Sequence, residues 1–207
     1  QELTVTRRSE WPQERAAGPH QDRGGLVPSR AGARPPHASA DPEHRARAVC
    51  LRLLTGAPRS RGELAAALRR REFPGTVIER VLDQLTEAGL IDDAAFADAW
   101  VDSRHHGRGL ARPALARELR AKGVDAALIE GALSQLDAER EEETARALVE
   151  RKLRATRGLD PAKRLRRMVG MLARRGYPEG MAVRVVREAL REEGQPEDAE
   201  LLPYPDD

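Results

Sequence analysis

Two adjacent carboxylates, Asp92 and Asp93, stand in "GLIDDAAFADAWVDSR" (residues 89–104) and are the first residues whose type and spacing suit chemistry. Such a pair can hold a divalent cation or divide acid and base work between its members. Either use needs a third ligand, a base or a substrate-facing partner, and the neighbourhood offers none. Aspartates at a helix start do something simpler, accepting amide hydrogen bonds and complementing the positive end of the helix dipole. That is the role expected here. Phe96 and Trp100, four residues apart on an Ala-rich stretch, then supply the packing surface of the helix and are predicted to be core.

The other candidate groups are weaker. His105 and His106 are adjacent, so they do not share a helix face, and no H-x-x-x-H partner follows; they read as a solvated element end near basic surface. Ser60 and Ser103 lack a nearby base and orienting group for nucleophilic catalysis. Neither a G-x-x-x-x-G-K-[ST] loop nor a G-x-G-x-x-G fingerprint occurs, and "HHGRGLARP" could touch phosphate without hydrolysing it. Cys50, the one cysteine, lies in apolar "AVCLRLL" and reads as a buried thiol in a reducing compartment. The expectation is a protein that is not an enzyme, with no cofactor and no metal.

A chain of 207 residues with 40% hydrophobic residues can build one compact core or a few small modules. Lys and Arg number 36 against 34 Asp and Glu, so the formal charge is only +2 and any electrostatic preference must come from how charge is distributed. No apolar run approaches the roughly 18 residues of a membrane span, and the first residues lack an apolar signal segment, so a cytoplasmic protein is expected. Residues 1–41, rich in Pro, Gly, Ala and Arg with Trp11 as the one anchor, are expected to be a disordered extension. Residues 194–207 are expected to form an acidic tail.

Between these ends the apolar residues fall at helical spacing and repeat. Leu68, Phe73, Val77, Ile78, Val81, Leu82 and Leu85 return 51 positions on as Leu119, Val124, Leu128, Ile129, Ala132, Leu133 and Leu136. A shift of 53 then gives Leu172, Tyr177, Met181, Ala182, Val185, Val186 and Ala189. One stripe recurring three times predicts an all-α fold of three tandem three-helix modules in an elongated or curved array, at 42–90, 91–138 and 139–193. The expected helices are 43–56, 60–71 and 74–88; 92–106, 111–122 and 125–137; and 140–157, 161–175 and 178–193. Ser60 with Glu63 predicts a capping box, and Asp41-Pro42 and Asp160-Pro161 each pair an N-cap with proline at the first helical position. Gly123 and Gly176 mark tight connections.

Charge is segregated along this repeat. Residues 79–102 carry seven acids against Arg80, whereas 104–122 carry six bases against Glu118 and the third module is more basic still. In the helix from Pro161, Leu165, Met168, Val169 and Leu172 share one arc, with Lys163, Arg167 and Arg174 nearly opposite. Arg184, Arg187 and Arg191 similarly oppose the last apolar stripe. A solvated face and a contact with nucleic acid or an acidic protein account for this spacing equally well.

"GLIDDAAFADAWVDSR", followed by "GLARPALARELRAKGVD" (109–125) and "LARRGY" (172–177), resembles the bacterial RecX family of recombination regulators over about residues 44–192. The resemblance implies tandem three-helix repeats that bind the RecA recombinase, particularly its filament on single-stranded DNA, and restrain ATP hydrolysis and strand exchange. The long amino-terminal segment departs from a minimal RecX core. The surface charges expected to meet RecA or DNA are Arg104, Arg108, Arg117, Arg120, Lys163, Arg167, Arg174 and Arg175, with the chain a monomer. The alternative is a helical DNA-binding transcription factor, distinguished by sequence-selective duplex binding.

Overall fold

The computed structural model describes residues 41–194; the expectations for the amino-terminal extension and the acidic tail fall on residues 1–40 and 195–207, outside them. The described residues form helices and contain no strand: α1 Pro42–Gly56, α2 Arg61–Arg69, α3 Gly75–Glu87, α4 Asp93–Arg108, α5 Arg112–Ala121, α6 Ala126–Ser134, α7 Ala138–Leu153, α8 Pro161–Arg174 and α9 Glu179–Glu192. A single 3-10 turn, Arg154–Thr156, follows α7.

Several starts follow from short polar side chains satisfying orphan amides. Asp92, Asp125, Asp137 and Asp160 accept from Ala95, Ala127, Arg140 and Lys163 N–H at 2.9, 2.8, 2.7 and 3.2 Å. Ser60 and Glu63 close the expected capping box. Two predicted helices differ in extent. The span 140–157 begins earlier, because Asp137 caps it, and changes to the 3-10 turn at Arg154, where the Thr156 hydroxyl donates to the Leu153 carbonyl at 2.8 Å. The span 125–137 stops at Ser134, and a turn from Leu136 N–H to the Leu133 carbonyl at 3.0 Å tucks Leu136 into the core.

Each trio of helices closes on its own core. In the first, Val49 and Cys50 of α1 meet Leu64 and Leu68 of α2 and Ile78, Val81, Leu82 and Leu85 of α3. Burial pushes the Cys50 thiol above its ordinary value, so it is a packing residue. The second gathers Phe96, Val101, Leu115, Leu119 and Ile129, and the third Leu148, Val149, Leu165, Met168, Leu172, Val185 and Val186. Of these, Leu68, Ile78, Val81, Leu82 and Leu85, Leu119 and Ile129, and Leu172, Val185 and Val186 belong to the repeated stripe; the rest fill out each core beside it.

The modules meet through a contact that itself repeats. At the first joint the Ser60 hydroxyl donates to the Lys122 carbonyl at 2.6 Å, and a Cβ on Gly123 would lie 2.9 Å from the Gly62 Cα. At the second, Ala111 N–H donates to the Arg175 carbonyl at 2.9 Å, and a Cβ on Gly176 would lie 2.7 Å from the Ala114 nitrogen. Both glycines are left-handed, with φ of 74° and 88°, so they end one helix and seat it against the preceding module. The equivalent first-module residue is Glu72, also left-handed at φ 60°, and no helical module precedes it among the described residues.

Candidate polyanion-binding surface

The two aspartates that suggested a paired site do not converge. Asp92 caps its own helix, while Asp93 reaches back to the first module and accepts the Arg61 N–H at 2.7 Å. Burial pushes the Asp93 carboxyl up, and that amide partly offsets the shift. Glu141 does the same job at the second joint, accepting the Arg112 N–H at 2.7 Å from a buried position. In each case a carboxylate from the next module satisfies the first orphan amide of the preceding module's second helix.

His105 is a correction to the sequence expectation. Only His106 is solvated; His105 is buried, its Nδ1 at 2.9 Å from the Leu110 carbonyl and its Nε2 at 2.9 Å from the Thr144 hydroxyl of the third module. Adjacent helical residues point about 100° apart, so one can face the joint while the other faces water. Trp100 packs against the second core as expected, though less deeply. Phe96 is buried and stacks on it at 5.8 Å, but Trp100 is only half-buried. Its indole N–H donates to Glu118 at 2.9 Å, with Lys122 and Arg104 lying 4.1 and 4.2 Å from the ring centroid.

Arg104 therefore differs from the other residues singled out for surface charge. It lies 3.8 Å from Glu118 and covers the indole, with 20% of its side chain exposed. Arg164, counted with the basic residues of the third module, is buried: it shares the i, i+4 row of Met168 and Leu172, donates to Thr156 and Leu153, and pairs with Glu193. Arg184 is engaged too, pairing with Glu142 at 2.6 Å.

The remaining charges gather at the joints. A groove of about 700 Å³ between the first and second modules is bordered by Arg69, Arg70, Arg71 and Arg120, together with Glu63 and Glu79. Those acids neutralise part of it: Glu63 takes Lys122 at 2.8 Å, and Glu79 takes Arg61 at 2.7 Å. A second groove, of about 560 Å³, runs between the second and third modules and is lined by Arg108, Arg151, Lys152, Arg174 and Arg175 over Leu110, Leu148 and Met171. It adjoins a hollow of about 230 Å³ that adds Arg167 and shares Lys152, Met171 and Arg174. Among the described residues no acid lines either space.

Arg108, Arg151, Lys152, Arg167 and Arg174 are exposed and make no ion pair among the described residues, so their charge is uncompensated by the fold. Arg175 is half-buried, its Nε donating to the Arg108 carbonyl at 3.2 Å across the joint. The structure thus brings Arg108, Arg167, Arg174 and Arg175 together. It leaves Arg120 at the other groove, and Arg117 and Lys163 exposed outside both. Sequence reasoning did not single out Arg69, Arg70 and Arg71. The only signal was a three-residue basic run at a helix end, where charge commonly complements the dipole. Arg151 and Lys152 were counted as basic but not selected, because nothing in the local pattern says that α7 faces Arg108.

Known proteins share both the modules and the sequence. The family models for the first, second and third three-helix domains of RecX match residues 46–85, 92–133 and 139–186. Regulatory protein RecX of Streptomyces coelicolor is 71% identical over 158 residues, spanning 76% of this chain and 83% of that protein. Its counterpart in Thermobifida fusca is 61% identical over 150 residues, or 72% and 81% of the two chains. A crystal structure of RecX from Lactobacillus salivarius shares the fold at a TM-score of 0.64 and 18% identity, covering 71% of this chain and 96% of that one. Three consecutive domain matches in the order of the three observed modules, with relatives of this identity, place the chain in the RecX family of regulatory proteins.

Proposed function

We propose that this protein binds RecA filaments on single-stranded DNA and restrains RecA-driven ATP hydrolysis and strand exchange, without catalysing a reaction of its own. The observation that carries this reading is membership of the RecX family by three consecutive domain matches. The uncompensated basic groove between the second and third modules supports it, because cations left unpaired within the fold suit an acidic or phosphate-bearing partner. The tandem modules lie along the filament and bridge successive parts of it, opposing the motions that accompany ATP turnover and strand exchange.

The test is binding of the purified chain to RecA filaments, to RecA alone and to DNA alone, followed by strand exchange. Filament binding with slowed exchange is expected. Absence of both removes the proposal, and tight sequence-selective binding to duplex without RecA would favour a transcription factor instead. Joint replacement of the exposed Lys163, Arg167 and Arg174 by Ala should weaken filament binding and lower its salt sensitivity with the fold intact. Unchanged binding removes this face of α8 from the interface.

A further inference from the structure

We infer that the groove between the second and third modules is a single-strand nucleic-acid site, its cations holding the phosphodiester backbone and its apolar floor taking an unstacked base. This deepens the filament reading and rests on it for the source of the strand. Four features carry the assignment. The walls come from different modules, Arg108 on one side and Arg151 and Lys152 on the other, so a strand is held from two directions. No acid lines the groove, and these three cations make no ion pair among the described residues, so phosphate meets charge that the fold has not already neutralised. Between the walls lie the half-buried Leu110 and the outer edges of the otherwise buried Leu148 and Met171, a small apolar floor on which a base face can rest without hydrogen-bond readout. The volume of about 560 Å³ falls within the roughly 300–1,000 Å³ of clefts that accept ligands of nucleotide size.

The floor is what selects a single strand. A duplex keeps its bases stacked inward and presents phosphates at the groove mouth, leaving the apolar surface wet, whereas a single strand can place a base upon it. The first groove offers a contrasting environment. There Glu63 and Glu79 stand among the arginines, and a polyanion has to meet those carboxylates as well.

The experiment uses the full chain with a fluorescent 20-nucleotide oligothymidylate, followed by anisotropy through a salt series without RecA. The same-length duplex and polyglutamate serve as competitors. Arg108→Ala, Arg151→Ala and Lys152→Ala combined should lower single-strand affinity by about tenfold or more and reduce the log–log salt slope by about 2, at roughly 0.7 per phosphate contact. The combined Arg69→Ala, Arg70→Ala and Arg71→Ala chain should lose no more than a few-fold, and Leu110→Ala should narrow the preference for single strand over duplex. Circular dichroism checks that each variant is folded. The inference is overturned if the groove variant binds like the parent, if duplex competes as well as single strand, or if polyglutamate does, the last marking an acidic-protein site. Because RecA is absent, these outcomes separate from those of the filament assay: a chain that binds filaments but passes oligonucleotide unchanged through the groove variant loses this inference alone.

Discussion

The two joints between modules are built on one plan and finished differently. Each seats a left-handed glycine of one module against the start of the preceding module's second helix, and each satisfies an orphan amide of that helix with a carboxylate from the next module. At the first joint the finish is polar: the Ser60 hydroxyl, the half-buried Asp93, and Lys122 paired with Glu63. At the second it is drier. Ala111 belongs to the apolar cluster of the third module, Glu141 and His105 are buried, and Leu148 lies where a Cβ on Gly109 would be. The same backbone geometry therefore supports a wetter joint beside a partly neutralised groove and a drier joint beside an uncompensated one.

The contrast is sharpest at the glycines. Gly176→Ala combines left-handed strain of about 1–2 kcal/mol with a Cβ driven into the Ala114 backbone, and thermal unfolding should show a loss above about 2 kcal/mol. Gly62 has no positive φ, so Gly62→Ala tests contact without strain; its Cβ would lie 2.6 Å from the Lys122 carbonyl. Hydrogen exchange should quicken at the Arg61 amide while the three cores stay protected. Unchanged exchange at that amide would show that the modules do not depend on this seat.

The carboxylates come next in expected effect. Glu141→Ala should cost about 1–3 kcal/mol by leaving the Arg112 amide without its acceptor in a buried setting, and Asp93→Ala less, because water can reach its half-buried site. Equal losses would erase the distinction between dry and wet joints. Asp93→Asn keeps an oxygen for the Arg61 amide and removes a charge that burial penalises. Since burial raises the folded Asp93 pKa, its contribution is greatest below the unfolded value and fades as pH rises through the folded one. The parent should therefore gain on Asp93→Asn as pH falls into the acid range, in paired denaturant titrations.

Tyr177 gives the smallest change at neutral pH. Its ring is buried in the third module and its hydroxyl has no hydrogen-bond partner among the described residues, so Tyr177→Phe should hold stability within about 0.5 kcal/mol. Burial, with Glu141 nearby, pushes the phenol up to about 12. The folded state thus retains a proton that the unfolded state sheds near 10, and stability falls as pH rises between about 10 and 12. The phenylalanine variant should lose that part of the alkaline slope, and an unaltered slope would assign it to other groups.

Much of the fold is legible in the sequence because it rests on local rules: the recurring stripe from Leu68, Leu119 and Leu172, the Ser60–Glu63 box, and aspartates before helices. The joints are not, because they depend on pairs such as Ser60 with Lys122 or Asp93 with Arg61 that share no sequence pattern. The candidate site is legible as charge but not as place. Arg167 and Arg174 read outward from α8, and they do face outward. Arg164, in the sequence only one more basic residue of the third module, lies on the buried row because Glu193, Thr156 and the Leu153 carbonyl satisfy it there. Arg104 likewise meets Trp100 and Glu118 only once α4 and α5 are packed.

Action of these modules on RecA is read most directly from the steady rate of RecA ATP hydrolysis on single-stranded DNA as the purified chain is added. A rate that falls to a plateau, with the Arg108, Arg151 and Lys152 triple alanine variant needing about tenfold more protein to reach it, is the predicted result. A rate unchanged at saturating chain, on filaments that a known inhibitor still stops, would contradict the account.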